Sequence, residues 1–407
     1  MRRSERIRRM WGLVLLTGLA LPANASGQDG YDQVNLIASR SIYNPRFVDK
    51  TLLNAWGIAL RPAGFGGHFW VTSNGNGTSD QYQGDVGDEI ISIDPLHLVR
   101  IPGPVGAGPA PLGTGAGTPT GVVFNPGDDF VLTQLTSGGR VTAPARFIFV
   151  GDDGVLSAWT ERDNGDGTFD RPGYASRMAD LSGRGSALFG LAISGNLDRL
   201  YAADFGASPG ILVFNRRFRE ITAFFRLAGR FENPFDAEDG VPGLQPGDYA
   251  PFNVQAIGDS LFIAFARTQE DPEHPGQFFA GEEDAAPGQG RLAEYDFDGE
   301  LIAAWDDAGL LNAPWGIAKA PADFGEFSGA LLVSNFGDGT LTAFDPLTRR
   351  AIDVVRDPDG QPVVIEGIWG ITFGNGASLG ESNHLYFAAG PADEEDGLFG
   401  KLVPLRE

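Results

Sequence analysis

The sequence predicts an all-β chain folded as a six-bladed β-propeller. Three observations predict it. A short motif recurs at even spacing, strand-length apolar runs follow each copy, and no helical apolar period lasts beyond a couple of turns. The motif is clearest in Leu53-Asn54-Ala55-Trp56-Gly57-Ile58-Ala59 and returns as Leu311-Asn312-Ala313-Pro314-Trp315-Gly316-Ile317-Ala318. Weaker copies are Pro119–Val123, Phe189–Ile193, Pro251–Val254 and Trp369–Thr372. With Gly57, Gly121, Gly190, Asn253, Gly316 and Gly370 as reference positions, the spacings are 64, 69, 63, 63 and 54 residues. The 37 residues after Gly370 and the 26 of residues 31–56 make one further period, so the chain closes on itself.

The N-terminus comes first in the chain. Arg2, Arg3, Arg6, Arg8 and Arg9 precede an eleven-residue apolar run, Trp11–Leu21, and Ala23-Asn24-Ala25 fits a small-x-small cleavage site. Residues 1–25 therefore read as a signal peptide, because a membrane-spanning helix needs about 20 apolar residues. No later apolar stretch matches that run. The expectation is one domain over residues 26–407, exported to the periplasm or the extracellular space, with no membrane span.

Each repeat then supplies strands A to D, from the axis outward. Strand A carries the motif. Strand B is an apolar run such as Phe69–Thr72, Phe147–Val150 or Leu331–Ser334. Strand C follows a Gly turn, as in Gly339–Pro346, and strand D is a short run such as Ala351–Val355. One four-stranded sheet cannot bury both faces alone; a ring of six lets each sheet pack on two neighbours. The sixth repeat shows only three clear strands, 368–373, 384–389 and 397–403. Residues 33–38 supply the missing outer strand and are expected to pair with 397–403, latching the ring.

Composition excludes several function classes. Lys plus Arg number 30 against 53 Asp plus Glu, a formal charge of −23 that argues against nucleic acid and anionic lipid. There is no Cys, hence no disulfide, thiolate metal site or Cys nucleophile. Neither a P-loop nor an H-E-x-x-H zinc motif occurs, and the four His fall in different repeats. Gly376–Gly380 matches G-x-S-x-G but lies between two strands, where a nucleophile elbow does not form. Asp163–Asp170 resembles a calcium loop with wrong residues at both ends of the register, and reads as a Gly-rich hairpin.

Strand parity sorts the loops. B–C loops and the links between repeats share one face, termed upper. It carries the long segments 102–118, 226–250 and 268–289 and the short acidic 391–396. Loops beyond about 12–15 residues are commonly functional or disordered, so these form either a collar over the tunnel mouth or solvated chain. Asp271, Glu273, Glu282, Glu283 and Asp284 read as solvated charge or as acids that bind Ca²⁺, with no other cofactor expected. Asp152, Asp204 and Asn335 recur at the end of strand B, as ligands at the mouth or as turn caps.

The chain resembles a bacterial family of exported, uncharacterised proteins related to NHL-repeat propellers. Leu53–Ala59, Phe69–Val71 with Asn76-Gly77-Thr78, Ala250–Gln255, Leu311–Ala318, Phe324–Gly329, Leu331–Gly339, Trp369–Gly376 and Gly397–Gly400 carry the resemblance. It implies the propeller fold and export, and no activity. That family's last motif often carries His before Gly-Leu-Phe-Gly; in this chain the position is Asp396. In related calcium-dependent lactonase propellers, the residue before the strand-A Gly can be a metal ligand. The equivalents in this chain are Trp56, Thr120, Phe189, Phe252, Trp315 and Trp369, which offer no set of carboxylates for Ca²⁺. The aromatic ring reads as inter-blade core or as a stacking surface for a sugar or apolar ligand. The candidate contact residues are Asn54, Trp56, Asn253, Asn312, Trp315 and Trp369. The expectation is a scaffold binding a small molecule, carbohydrate or protein at the upper tunnel mouth. The alternatives are a calcium-dependent hydrolase or lyase and a structural cell-envelope protein.

Overall fold

The computed structural model describes residues 30–105, 114–236, 238 and 240–405; the predicted signal peptide lies outside them. Six sheets surround one axis. Blade 1 comprises Ala55–Ala59, Phe69–Ser73, Thr78–Gln83 and Ser92–Arg100. Blade 2 comprises Pro119–Phe124, Phe147–Gly151, Val155–Trp159 and Ser176–Asp180. Blade 3 has three strands, Leu188–Ile193, Arg199–Asp204 and Gly210–Asn215. The core strands of blade 4 are Tyr249–Ile257, Ser260–Glu270, Gly290–Tyr295 and Leu301–Ala304. Blade 5 is Pro314–Lys319, Leu331–Asn335, Leu341–Asp345 and Arg350–Val354. No helix among the described residues is long and apolar enough to cross a membrane.

Blade 6 joins both ends of the chain. Ile368–Phe373, Leu385–Ala389 and Leu398–Pro404 are followed outward by Tyr31–Ala38, antiparallel to the last of them. Tyr31 lies opposite Pro404 and Ala38 opposite Leu398, with a bulge between Asn35 and Ile37. The latch thus begins two residues earlier than the sequence suggests. Tyr31 explains the extension. Its hydroxyl donates to Phe324 O at 2.8 Å and accepts from Phe327 N–H at 3.1 Å, tying the closing strand to blade 5.

Blade 3 departs from the four-strand expectation. After one bridge between Phe214 and Glu220, the chain turns into a helix, Thr222–Leu227. The Thr222 hydroxyl accepts from Val213 N–H at 3.0 Å, a bond a fourth strand would have supplied from its backbone. Phe225 then buries into the blade 3–4 core beside Phe231 and Phe235. Burying that aromatic outweighs further ladder pairing at an edge.

Buried apolar clusters fill all six seams. Trp70, Phe147 and Trp159 dominate between blades 1 and 2, and Phe69, Tyr82, Tyr386 and Phe399 between blades 6 and 1. The remaining seams carry equivalent clusters. Such faces make each sheet dependent on its neighbours, and closure leaves no unsupported end.

The repeat glycines have a specific reason. A Cβ on Gly57 would lie 2.4 Å from Thr120 O, on Gly316 2.5 Å from Trp369 O, and on Gly370 2.5 Å from Trp56 O. Gly121 and Gly190 abut the next strand A at 2.8 and 2.7 Å by the same measure. At five of the six junctions the inner strands therefore meet backbone to backbone around the axis, and at the sixth, between blades 4 and 5, Asn253 stands in place of the glycine. Side chains stitch the same circle. Thr72 donates to Thr120 O, Thr120 to Leu188 O, Asn253 to Trp315 O and Ser334 to Trp369 O, at 2.6 to 2.7 Å.

Candidate functional site

The upper end of the tunnel is closed by aromatic side chains. Trp56 and Trp369 stack at 3.8 Å between centroids, and Phe336 stacks on the Trp369 indole at 3.9 Å. Trp315 meets both tryptophans edge-on, and Phe189 meets Trp56 likewise at 5.3 Å. Phe205 and Phe252 complete the cluster. The start of strand A places Trp56, Phe189, Phe252, Trp315 and Trp369 here, each just before its reference position, while Phe205 and Phe336 follow the end of strand B in blades 3 and 5. Thr120 breaks the aromatic circle in blade 2 and gives its hydroxyl to Leu188 O instead.

The long upper segments reach inward over this cluster. Leu244 and Ala285 pack against it, and Gly281 N–H donates to Phe205 O at 2.9 Å. Segments 226–250 and 268–289 thus form a collar. Segment 268–289 contains a strand, Phe278–Glu283, paired with the extended strand B of blade 4. The described ends of 102–118 form a hairpin, Pro102–Val105 with Thr114–Ala116; residues 106–113 lie outside the described chain. Beneath the aromatic cluster remains a void of about 20 Å³ bounded by Gly57, Gly121, Asn253, Gln255, Trp315 and Gly370. That is room for about one water molecule.

The six sequence-predicted contact residues are brought together and are all buried, none more than 5% exposed. The asparagines turn onto backbone. Asn253 donates to Trp315 O, and its Oδ1 lies 2.0 Å from where a Cβ on Gly190 would sit. Asn54 Oδ1 and Asn312 Oδ1 press in the same way on Gly390 and Gly337. Neither of those two oxygens has a hydrogen-bond partner among the described residues, nor do Nε1 of Trp56, Trp315 and Trp369. Each such orphan costs about 1–3 kcal/mol unless water or a ligand satisfies it.

The strand-B acids and amides cap turns. Asp204 Oδ1 accepts from Ala187 N–H and Gly206 N–H at 2.9 and 3.0 Å. Asn335 Oδ1 accepts from Asn312 N–H at 3.1 Å, and its amide donates to Leu310 O at the same distance. Asp152 accepts from the Thr118 hydroxyl. They hold the entry to strand A rather than face a common centre. Among the described residues no grouping of three or more His, Asp or Glu could hold a metal ion. Arg162–Asp163 pairs with Phe169–Asp170, so the calcium-like segment is a hairpin.

Two polar clusters escaped the sequence reading, both near the blade 6–1 seam. Lys401 Nζ lies 2.7 Å from Asp85 Oδ2 and 3.3 Å from His384 Nδ1, and the Tyr386 hydroxyl donates to the same carboxylate. Burial and the Asp85 charge hold the Tyr386 phenol far above its usual range. In the second cluster, His97 Nε2 lies 2.8 Å from Asp49 Oδ2 and 3.2 Å from the Thr51 hydroxyl. One nitrogen serves both contacts, so the imidazole cannot relay a proton between them, as a hydroxyl–His–acid triad must. Nearby, burial pushes Asp80 up to about 7 despite the hydrogen bond from Thr78. A charged residue inside an apolar strand, Lys401 in Leu398–Pro404, was the visible signal for the first cluster. Asp396 belongs to the latch. It accepts from Ser39, Arg40 and Tyr43 at 3.3, 3.2 and 2.7 Å.

No family model matches the chain. It is similar to uncharacterised proteins of Acanthamoeba polyphaga mimivirus. Protein R648 is 27% identical over 371 residues, 91% of this chain and 80% of that one. Protein L690 is 28% identical over 378 residues, 91% and 85% of the two chains. R640 is 29% identical over 255 residues, 62% of this chain and 42% of the other. These relatives correct the expectation of a bacterial exported family: all three are viral proteins, and their names assign no activity. Among solved structures, a structural-genomics protein of unknown function from Bacteroides thetaiotaomicron aligns over 93% of this chain and 73% of its own, with a TM-score of 0.45 and 11% identity. Glutaminyl cyclase of Myxococcus xanthus aligns over 76% and 97%, with a TM-score of 0.36 and 13% identity. Neither likeness bears on the chemistry of this chain. The chain is a six-bladed propeller scaffold whose upper mouth is sealed by tryptophans beneath a two-segment collar.

Proposed function

We propose that this propeller is an exported, non-catalytic scaffold that binds a ring-faced ligand, a carbohydrate first among the classes to test, at the upper tunnel mouth. One observation carries the reading. Nε1 of Trp56, Trp315 and Trp369 are buried without partners among the described residues, inside a single contacting cluster. A sugar supplies oxygens for indole N–H groups and a flat face for the rings. Segments 226–250 and 268–289 would part to admit it. The test is intrinsic tryptophan fluorescence titrated with mono- and oligosaccharides, on the protein and on Trp369→Phe. Saturable change that Trp369→Phe weakens supports the reading. No change with any saccharide, with the tryptophans shielded from acrylamide throughout, makes the cluster core alone. Export rests on residues 1–25, and sequencing the N-terminus of protein recovered outside a secreting host's cytoplasm tests it; a chain retained with Met1 refutes it.

A further inference from the structure

A cavity of about 330 Å³ opens on the upper face at the seam of blades 3 and 4. It exists because blade 3 ends in the helix Thr222–Leu227 instead of a fourth strand. Phe225 and Phe231 form one side and Phe278 of the collar another. Two charged side chains also line it, Arg226 from the helix and Asp236 from the segment after it. Among the described residues neither has an ion pair or side-chain hydrogen bond, and they do not pair with each other. Arg230, also on the wall, is already neutralised by Glu300. The Arg226 guanidinium lies over Gly210, where a Cβ would come within 3.2 Å of Nη2. The glycine thus makes room for it against the strand.

Opposite charges in one aromatic-walled cavity, unpaired with each other, define a ligand. An apolar molecule satisfies neither charge. A simple anion leaves Asp236 repelling it, in a protein whose net charge of −23 already opposes anions. A zwitterion carries no net charge and satisfies both. The volume sits at the small end of ligand cavities, which run about 300–1,000 Å³. We propose that this cavity binds an α-amino acid with an aromatic or branched apolar side chain. The carboxylate meets Arg226 and the ammonium meets Asp236, with the side chain against Phe225, Phe231 and Phe278. The site lies beside the tryptophan cluster, sharing Leu244 of the collar with it, and does not depend on the reading proposed for that cluster.

Isothermal titration of the full chain with L-phenylalanine and L-leucine tests the assignment. 3-Phenylpropionate lacks the ammonium, phenethylamine the carboxylate and glycine the side chain. The expected result is saturable one-site binding of L-phenylalanine or L-leucine, with each truncated analogue weaker by about tenfold or more. Arg226→Gln and Asp236→Asn each weaken binding by a similar factor, since both are charge-assisted contacts at positions that are not buried. Leu227→Ala, on the exposed side of the same helix, leaves affinity unchanged and checks that the helix is intact. Absence of saturable binding at millimolar amino acid overturns the proposal. So do equal affinities for all five compounds, or affinities that both charge variants leave untouched.

Discussion

Gly316→Ala tests the backbone-to-backbone tunnel directly. The added methyl would lie 2.5 Å from Trp369 O, 2.7 Å from Ser334 Oγ and 2.9 Å from Ile371 N. Carbon contacts settle near 3.5–4.0 Å, so the inner strands of blades 5 and 6 must separate by about 1 Å. Overpacking of this kind costs about 1–3 kcal/mol. The same movement pulls on the Ser334 hydroxyl, which accepts from Gly316 N–H at 2.8 Å and donates to Trp369 O at 2.7 Å. Losing one of these bonds adds about 1 kcal/mol. A destabilisation of about 2–4 kcal/mol is expected, a large share of the roughly 5–15 kcal/mol typical of a folded domain. Equilibrium urea unfolding, followed by tryptophan fluorescence and far-ultraviolet circular dichroism, measures it. Gly183→Ala is the control, because nothing lies within 4 Å of its added Cβ and the residue is exposed. It should stay within about 0.5 kcal/mol of the parent. Equal midpoints for the two variants would refute the claim that the repeat glycines are required by strand contact around the axis.

Three further outcomes follow from the seam and the latch. Asp80 keeps its proton in the folded state up to about pH 7, whereas the unfolded chain releases it near 3.8. The folded state therefore binds the extra proton between those values, so this contribution is full at acid pH and is lost as pH rises through 7. Asp80→Asn should flatten that part of a stability-against-pH curve, and an unchanged slope would count against a buried neutral Asp80. Asp85→Asn leaves the buried Lys401 ammonium without its counter-charge and should destabilise by about 3–5 kcal/mol in urea, with Asp85→Asn/Lys401→Met recovering part of the loss. A double variant no better than the single would mean that the pair does not act as a unit. Tyr31→Phe removes two buried hydrogen bonds from the closing strand to blade 5 and should cost about 1–3 kcal/mol. Faster amide exchange at residues 31–38 than at 385–389 would accompany it, and identical exchange in variant and parent would argue that the latch is held elsewhere.

What was legible in the amino acids alone was what repeats. A short motif recurring about every 63 residues, with glycine at five of its six reference positions and strand-length apolar runs beside it, specified the number of blades, because every blade solves the same packing problem. The unpaired third strand of the last repeat called for residues 33–38, since an apolar edge must be covered, and the structure extends that strand back to Tyr31. The tryptophans before the glycines were visible as one set, and the structure gathers them. Their packing is completed by the collar, two segments whose paths depend on contacts made only in the folded ring. Folding likewise turned Asn54, Asn253 and Asn312 onto Gly390, Gly190 and Gly337, residues 25 to 336 positions away. Lys401 met Asp85 across 316 positions. The helix at 222–227 replaced a strand because Phe225 found a core between two blades. Local pattern carries a period, but it does not carry which distant side chain will stand opposite, and that is where this chain places its charges and its cavity.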